Sequence, residues 1–326
     1  MDRTMPPFNM EPDPAFEIGI EDFCIPVLEL PPEFIPAPVR DRKIRIYALA
    51  GYHTPTGNIK YIPASHMLKR ATETGLCQRG QTVVEATSGN FGDSLAFCAK
   101  RYGLTVAAIV SDKLPEGKLL ALRRQGTQIL KEGELARSLN LTHAVPTIEL
   151  ARLYAKKIGG VHLNQYGNPW NPESYATLIA PELWRQTGGQ ASILVSAIGT
   201  TGTMMGLGGY FKKQNPRLRV IATMPYLDQN IDGTRDSRRL KEVGFLWQDL
   251  ADHKRRLDAR VAQAVSIELH RAGIHAGPSS GAALATLGHY LLELAETDGL
   301  DGLCDQAGSI VAITTFADTL FPYDYT

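Results

Sequence analysis

Short apolar runs alternate along the chain with longer segments in which apolar residues recur at helical spacing. The apolar runs predict strands at 44–49, 82–86, 104–110, 128–130, 193–197, 219–222 and 309–314. The amphipathic segments predict helices at 60–74, 90–102, 116–125, 148–158, 173–186, 203–214, 260–272 and 280–294. Strands that alternate with helices are typical of a mainly parallel sheet flanked by helices. The pattern therefore predicts an α/β fold.

Ligands of such folds lie at the carboxyl ends of the strands, where the chain enters the next helix. Four loops at such points are rich in Gly, Ser, Thr and Asn and almost free of charge, at 54–60, 87–90, 199–203 and 277–281. Each loop alone is typical of a turn followed by a helix N-cap. Taken together, the four loops predict a site lined by small polar groups.

Composition mainly excludes classes of protein. The 326 residues fit two domains or one large α/β unit, and 34 Lys and Arg balance 34 Asp and Glu. This balance disfavours nucleic acid or an anionic membrane as a partner. No apolar stretch approaches the ~18–20 residues that span a bilayer, and the acidic, Pro-rich start lacks a signal-peptide core. The four cysteines form no CxxC pair and the histidines no cluster, so we expect no metal site, no disulfide framework and a cytoplasmic protein.

Two of the polar loops indicate a phosphate-bearing cofactor. Residues 199–203, Gly-Thr-Thr-Gly-Thr, lead into a predicted helix, whose N-terminal N–H groups favour an anion. The loop lacks the lysine of a P-loop and is a poor dinucleotide fingerprint. Lys60 begins another predicted helix, where a cation is disfavoured, and an amine whose charged form is disfavoured is a better nucleophile. A solvated lysine is the ordinary alternative, but a Schiff-base lysine with a phosphate cup indicates pyridoxal phosphate.

The same loops resemble the motifs of a known family. Residues 53–60, His-Thr-Pro-Thr-Gly-Asn-Ile-Lys, resemble the Asn-Pro-Thr-Gly-Ser-Val-Lys motif of the cysteine synthase family, and 87–90 match its Thr-Ser-Gly-Asn loop. Further segments are similar to its Gln-Phe-x-Asn-Pro-x-Asn-Pro, Thr-Gly-Pro-Glu-Ile-Trp, Gly-Thr-Gly-Gly-Thr and Gly-x-Ser-Ser-Gly-Ala motifs, at 165–172, 179–184, 199–203 and 277–282. The chain thus resembles the tryptophan-synthase-β-like, or fold type II, pyridoxal phosphate enzymes from about residue 45 to residue 315.

This resemblance implies two lobes, each a mainly parallel sheet flanked by helices. It implies an N-terminal arm at 1–45 that crosses to the larger lobe and a smaller, mobile, substrate-binding lobe at 46–165. Residues 166–326 form the larger lobe, which binds the cofactor phosphate. Members of the family are usually homodimers, so a homodimer is expected here, with an amino-acid substrate and a nucleophile as small-molecule partners.

The resemblance also implies the role of each motif residue. Lys60 carries the cofactor as a Schiff base and removes the substrate α-proton, Asn90 binds the phenolic oxygen, and Ser279 binds the pyridine nitrogen. The phosphate lies in a cup of five residues, Gly199, Thr200, Thr201, Gly202 and Thr203. The substrate-binding residues surround the α-carboxylate and are Thr87, Ser88, Gly89, Gln165 and Phe91. From the residues alone, Asn90 and Ser279 are equally typical of helix caps.

The implied reaction is β-replacement, through an aminoacrylate, on O-acetylserine, O-phosphoserine, serine or cysteine. A serine at the pyridine nitrogen leaves the ring largely neutral, which suits prompt departure of a β-substituent. Two alternatives stay open. One is a β-elimination enzyme on the same fold, a dehydratase, ammonia-lyase or desulfhydrase, and the other is a non-catalytic homologue.

The chain departs from the family mainly on the substrate side. Phe91 stands where cysteine synthases usually have Thr, which places a large apolar ring beside the expected carboxylate site. Three arginines, Arg235, Arg238 and Arg239, follow in a region that lies near the active-site mouth in the family. A solvated basic loop is the ordinary explanation. The alternative is that they receive an anionic leaving group or a carboxylate-bearing nucleophile.

Overall fold

Strands and helices alternate throughout the computed structural model, which describes residues 24–141 and 143–319. The strands are β1 (Val27–Glu29), β2 (Ile44–Ala50), β3 (Thr82–Ala86), β4 (Thr105–Val110), β5 (Gln128–Lys131), β6 (Val161–His162), β7 (Ile193–Ala197), β8 (Arg219–Pro225), β9 (His253–Leu257) and β10 (Ile310–Phe316). The helices are α1 (Tyr61–Glu73), α2 (Asn90–Ala99), α3 (Glu116–Arg124), α4 (Glu132–Ser138), α5 (Thr147–Ile158), α6 (Trp170–Leu178), α7 (Ala180–Gln186), α8 (Gly202–Gln214), α9 (Trp247–Leu250), α10 (Ala259–Arg271) and α11 (Pro278–Glu296).

The strands form two sheets. One has six strands in the order β1-β2-β10-β7-β8-β9, and the other has four in the order β5-β4-β3-β6. All neighbouring strands run parallel except β1 and β2, which are antiparallel. The predicted fold of mainly parallel sheets flanked by helices is confirmed. Among the described residues, no helix has the length and apolar character needed to cross a membrane.

Burial explains which strands the sequence pattern revealed. All seven residues of β10 are buried, and the last five residues of β2 and of β4 are buried as well. Strands that are covered on both faces appear as continuous apolar runs, and each of these was predicted to within three residues. The prediction missed β9, whose sequence His-Lys-Arg-Arg-Leu lies at the edge of the six-stranded sheet. It also missed the short strands β1 and β6 and the helices α4 and α9.

Two predicted helices differ from the observed ones for local reasons. The helix predicted at 173–186 is two helices, α6 and α7, which meet at Ile179. Pro181 lies in the first turn of α7, where its missing N–H is tolerated, whereas it would break a continuous helix. The helix predicted at 90–102 ends at Ala99, and a short 3-10 helix continues it to Tyr102.

The N-terminal part of the chain joins the six-stranded sheet. β1 and β2 pair with each other, and β2 lies beside β10. Residues 1–23 of the predicted arm, including its acidic, Pro-rich start, lie outside the described residues. The four-stranded sheet comes entirely from the chain between Thr82 and His162.

Candidate functional site

A cavity of about 420 Å³ lies between the loops of the two sheets. The loops that follow β3, β4, β7 and β8 line it, so it occupies the carboxyl edge at which parallel sheets bind ligands. Eight sequence-predicted residues line this cavity: Lys60, Thr87, Ser88, Asn90, Phe91, Gln165, Gly199 and Thr200. The other predicted residues, Gly89, Thr201, Gly202, Thr203 and Ser279, do not line it. Gly89 and Thr201 adjoin lining residues in the chain, and Gly202 and Thr203 follow Thr201 at the start of α8. Ser279 adjoins Gly233 in space, because a Cβ on Gly233 would lie 3.7 Å from Oγ of Ser279.

Lys60 is the residue just before α1 and is held there by the loop that precedes it. The Thr54 hydroxyl donates to the Asn58 carbonyl at 2.7 Å, and Oδ1 of Asn58 accepts from the Lys60 N–H at 3.0 Å. Removal of the ammonium from water lowers the pKa of Lys60 to about 8, and the nearby Asp318 carboxylate opposes this shift. Roughly a tenth of the amine is therefore neutral and nucleophilic at pH 7.

This lowered pKa predicts the pH dependence of the reactivity of Lys60. Only the neutral amine has a lone pair, so labelling with acetic anhydride is expected to rise with pH through a midpoint of about 8. Competitive labelling of the cofactor-free full chain, read by mass spectrometry at the peptide that contains Lys60, measures the midpoint. A midpoint of about 10.4, as in a model peptide, would contradict the desolvation of the amine.

Asn90 bonds to an acid that the sequence analysis did not find. Its Nδ2 donates to Oδ2 of Asp318 at 2.6 Å, and Asp318 is only 3% exposed. Asn90 does not cap α2, because the hydroxyl of Thr87 accepts from the N–H groups of Gly89 and Gly92 at 3.1 and 3.0 Å. Asp318 belongs to no motif that we recognised. The one available signal was its position just after the last strand, at the edge where ligands bind.

Gln165 is positioned by a second acid that the sequence analysis missed. The fully buried carboxylate of Glu85 accepts from the backbone N–H groups of Asn164 and Gln165, at 2.9 and 3.3 Å. The side-chain amide of Gln165 donates to the carbonyl of Ala86 at 2.9 Å. The predicted carboxylate-binding residues on 87–90 and Gln165 are therefore tied together at the end of β3.

The predicted phosphate cup precedes α8. Thr201 adopts a left-handed φ of 66°, and Gly199 packs so closely that a Cβ would lie 2.5 Å from the carbonyl oxygen of Gly233. In the described part of the chain, the hydroxyls of Thr201 and Ser279 are buried without a hydrogen-bond partner. Such groups normally bind a protein or ligand atom. A phosphate at the N-terminus of α8 and a ring nitrogen beside Ser279 would satisfy both, so these residues fit pyridoxal phosphate.

The three arginines of the 230–239 loop separate in the structure. Arg235 is 7% exposed, stacks at 4.1 Å on the ring of Tyr166 and donates to Glu242 at 2.8 Å. Arg239 is exposed and also lines the cavity. Arg238 does not line it and instead lies 3.6 Å from Asp236. The alternative in which all three arginines receive an anion is therefore wrong, because only Arg235 and Arg239 line the cavity.

An ion pair crosses the cavity between the two sets of loops. Nζ of Lys118, on α3, lies 2.6 Å from Oδ1 of Asp232 in the loop after β8. The Lys118 stem passes over Gly89, where a Cβ would lie 3.0 Å from Cδ. In the described ranges, no group of three or more His, Cys, Asp and Glu side chains is arranged to hold a metal ion.

Both the sequence and the fold of this chain are similar to those of known proteins. The family described as pyridoxal-phosphate dependent enzyme matches residues 27–302. Cysteine synthase B of Pseudomonas aeruginosa is 32% identical over 269 residues, which cover 78% of this chain and 83% of that protein. The N-(2-amino-2-carboxyethyl)-L-glutamate synthase of Ralstonia nicotianae is 30% identical over 258 residues, which cover 77% and 76%. The crystal structure of O-ureido-L-serine synthase superposes with a TM-score of 0.76 at 26% identity and covers 94% of this chain and 93% of that one.

Proposed function

The chain belongs to the cysteine synthase family of pyridoxal-phosphate dependent enzymes, and from this premise we propose β-replacement on a serine-type amino acid by an anionic nucleophile. The family, the enzyme class and the cofactor that the motifs implied are confirmed. The exact amino acid, its leaving group and the nucleophile are the parts that we propose. The observations that support the reaction are a cavity-lining amine, Lys60, whose pKa is lowered by desolvation, and the buried hydroxyls of Thr201 and Ser279, which lack a partner among the described residues.

Different residues of the chain accept the α-proton, bind the α-carboxylate and exclude water in this reaction. When bound, pyridoxal phosphate supplies an electron-withdrawing ring that stabilises negative charge on the substrate α-carbon. Lys60 accepts the α-proton, since a base whose pKa lies near the operating pH transfers protons efficiently. Ser88, whose side chain is exposed at the cavity, and the backbone of 87–90 hold the α-carboxylate. Phe91 is buried and excludes water beside that carboxylate.

The charges around the cavity favour a co-substrate that carries a second negative group. Besides Lys60, the described residues that line it include four cations, Lys113, Lys118, Arg235 and Arg239, and a single acid, Asp232. Lys118 neutralises that acid, and Glu242 neutralises Arg235. Apart from Lys60, the lining cations for which the described residues supply no such acid are the exposed side chains of Lys113 and Arg239. The Ralstonia relative is named for a product that contains L-glutamate, itself a carboxylate-bearing amino acid.

We therefore predict that Arg239→Ala raises the KM for an anionic co-substrate about three- to tenfold and leaves kcat nearly unchanged. An exposed charge contributes about 1 kcal/mol to such contacts, which corresponds to this range. Arg238→Ala is the matched control, because Arg238 is the exposed neighbour that does not line the cavity. Steady-state kinetics measures the KM values. Equal values for the wild type and both variants would contradict the proposed anion site.

One panel of substrates tests the proposed function. The holoenzyme is mixed separately with O-acetylserine, O-phosphoserine, serine and cysteine, each with and without sulfide, a thiol or an amino acid such as glutamate. β-Replacement predicts a new Cβ–S or Cβ–N product that depends on the added nucleophile. Pyruvate and ammonia in every mixture would instead indicate the elimination enzyme. No spectral change with any substrate would indicate the non-catalytic homologue.

We also propose the organisation that the resemblance implies. One bound differs from the implied 46–165, because β2 (Ile44–Ala50) lies in the six-stranded sheet and the smaller lobe therefore cannot begin at residue 46. We propose that it begins after Ala50 and ends near residue 165, beyond the last strand of the four-stranded sheet. The chain forms a homodimer in the cytoplasm and uses neither nucleic acid nor a membrane as a partner. Sedimentation equilibrium tests the dimer, which requires twice the chain mass of 35.7 kDa.

A further inference from the structure

The chain just after β10 touches three of the segments that form the candidate site. The Ala317 carbonyl accepts from the N–H of Ile59, next to Lys60, at 2.6 Å. The Ala317 N–H donates to the hydroxyl of Ser280, next to Ser279, at 3.1 Å. These two bonds fix the position of the backbone just before Asp318. They hold it between the N-terminus of α1 and the N-terminus of α11.

Asp318 completes this arrangement with its own groups. Its carbonyl accepts from the N–H of Gly277 at 2.8 Å, and its Oδ2 accepts from the amide of Asn90 at 2.6 Å. Its carboxylate also raises the pKa of the Lys60 amine against the larger, opposite effect of desolvation. One buried residue therefore contacts or influences the segments that carry Lys60, Asn90 and Ser279.

The other charged side chains around Lys60 line the wider cavity. They are Lys113, Lys118, Asp232, Arg235 and Arg239. Of these described lining residues, Asp232 carries the negative charge, and it is paired with Lys118 at 2.6 Å. Asp318 is the negative group whose charge acts on Lys60.

We propose that Asp318 is a positioning residue. Its carboxylate orients the amide of Asn90, which it contacts at 2.6 Å, and supplies a negative charge to the segment that carries Lys60, to which Ala317 is bonded through Ile59. An asparagine amide has a donor end and an acceptor end. Because the carboxylate accepts from the NH2 group, it fixes that end toward itself and leaves the second N–H of Asn90 for a ligand. After Lys60 takes up a proton it is a buried cation, and a nearby carboxylate lowers the cost of forming it. The inference uses from the proposed function only the role of Lys60 as the proton acceptor.

Asp318→Asn tests the charge without changing the shape of the side chain. Lys60 in the cofactor-free full chain is labelled with acetic anhydride between pH 6 and 11, and the labelled fraction is read by mass spectrometry. We expect the midpoint to fall by about one pH unit from the wild-type value, because removal of the opposite charge disfavours the ammonium. In the holoenzyme, the pH transition of the visible absorption band is expected to move in the same direction.

Two control variants separate this effect from a general perturbation. Asp318→Glu keeps the charge and is expected to keep the wild-type midpoint, whereas Asp301→Asn removes an exposed carboxylate elsewhere and is also expected to change nothing. If Asp318→Asn does not fold, Asp318→Ser serves as the second neutral variant. A folded neutral variant with an unshifted midpoint would overturn the inference.

The outcome is independent of the proposed reaction. The labelling needs neither substrate nor cofactor. A shifted midpoint in a chain that converts none of the tested amino acids would keep the role of Asp318 and contradict the proposed function. Turnover together with an unshifted midpoint would contradict only the role of Asp318.

Discussion

Lys60→Ala is expected to abolish both turnover and the visible absorption band of the holoenzyme. The variant removes the amine that carries the cofactor and the base that takes the α-proton. Removal of a positioned general base alone costs about 10²–10⁴-fold in rate, and loss of the covalent attachment adds to this. Steady-state rates and absorption spectra, recorded after addition of excess pyridoxal phosphate, measure the two losses separately.

The structure provides a direct control for this loss. Lys156 is an exposed lysine on α5 that does not line the cavity, so Lys156→Ala is expected to keep the band and the rate. Cofactor binding to Lys60→Ala without the band would show that the phosphate cup works without the Schiff base. A variant that retained the wild-type band would contradict the role of Lys60, and another lysine would then have to be the attachment point.

The site residues that could be predicted from the sequence lie in short motifs of consecutive residues. Lys60, the 87–90 loop and the 199–203 loop each combine a turn with a helix N-terminus, so a few consecutive residues carry the signal. Parallel strands that are buried on both faces gave equally strong local patterns. This is why the cofactor side of the site and the order of the main elements were predictable.

The residues that the sequence did not reveal act through distant partners. Asp318 meets Asn90 across 228 positions, and Lys118 meets Asp232 across 114. Neither acid lies in a recognisable motif, and only the packing of the two sheets brings each to its partner. The loop arginines illustrate the same limit, because three neighbouring residues diverge once Arg235 stacks on Tyr166 and Arg238 pairs with Asp236.

Gly202→Ala is expected to weaken the binding of pyridoxal phosphate about 5- to 150-fold. A Cβ at Gly202 would lie 2.5 Å from Cγ of Asn171 and would overlap its Oδ1. Asn171 cannot easily yield, because its Nδ2 donates to the Gln165 carbonyl at 2.7 Å and to the Thr200 hydroxyl at 3.2 Å. Overpacking of this kind costs about 1–3 kcal/mol, which is the stated change in affinity if the strain falls on the cup.

Gly209→Ala, on the same helix, separates strain at the cup from an effect on α8 itself. A Cβ at Gly209 meets nothing within 4 Å, so this variant is expected to keep cofactor affinity and to gain about 0.4–1 kcal/mol of stability. Spectrophotometric titration with pyridoxal phosphate measures the affinities, and thermal unfolding measures the stabilities. If Gly202→Ala lost stability but bound the cofactor as tightly as Gly209→Ala, the strain would be absorbed at Asn171. The phosphate would then have to lie elsewhere than at the first turn of α8.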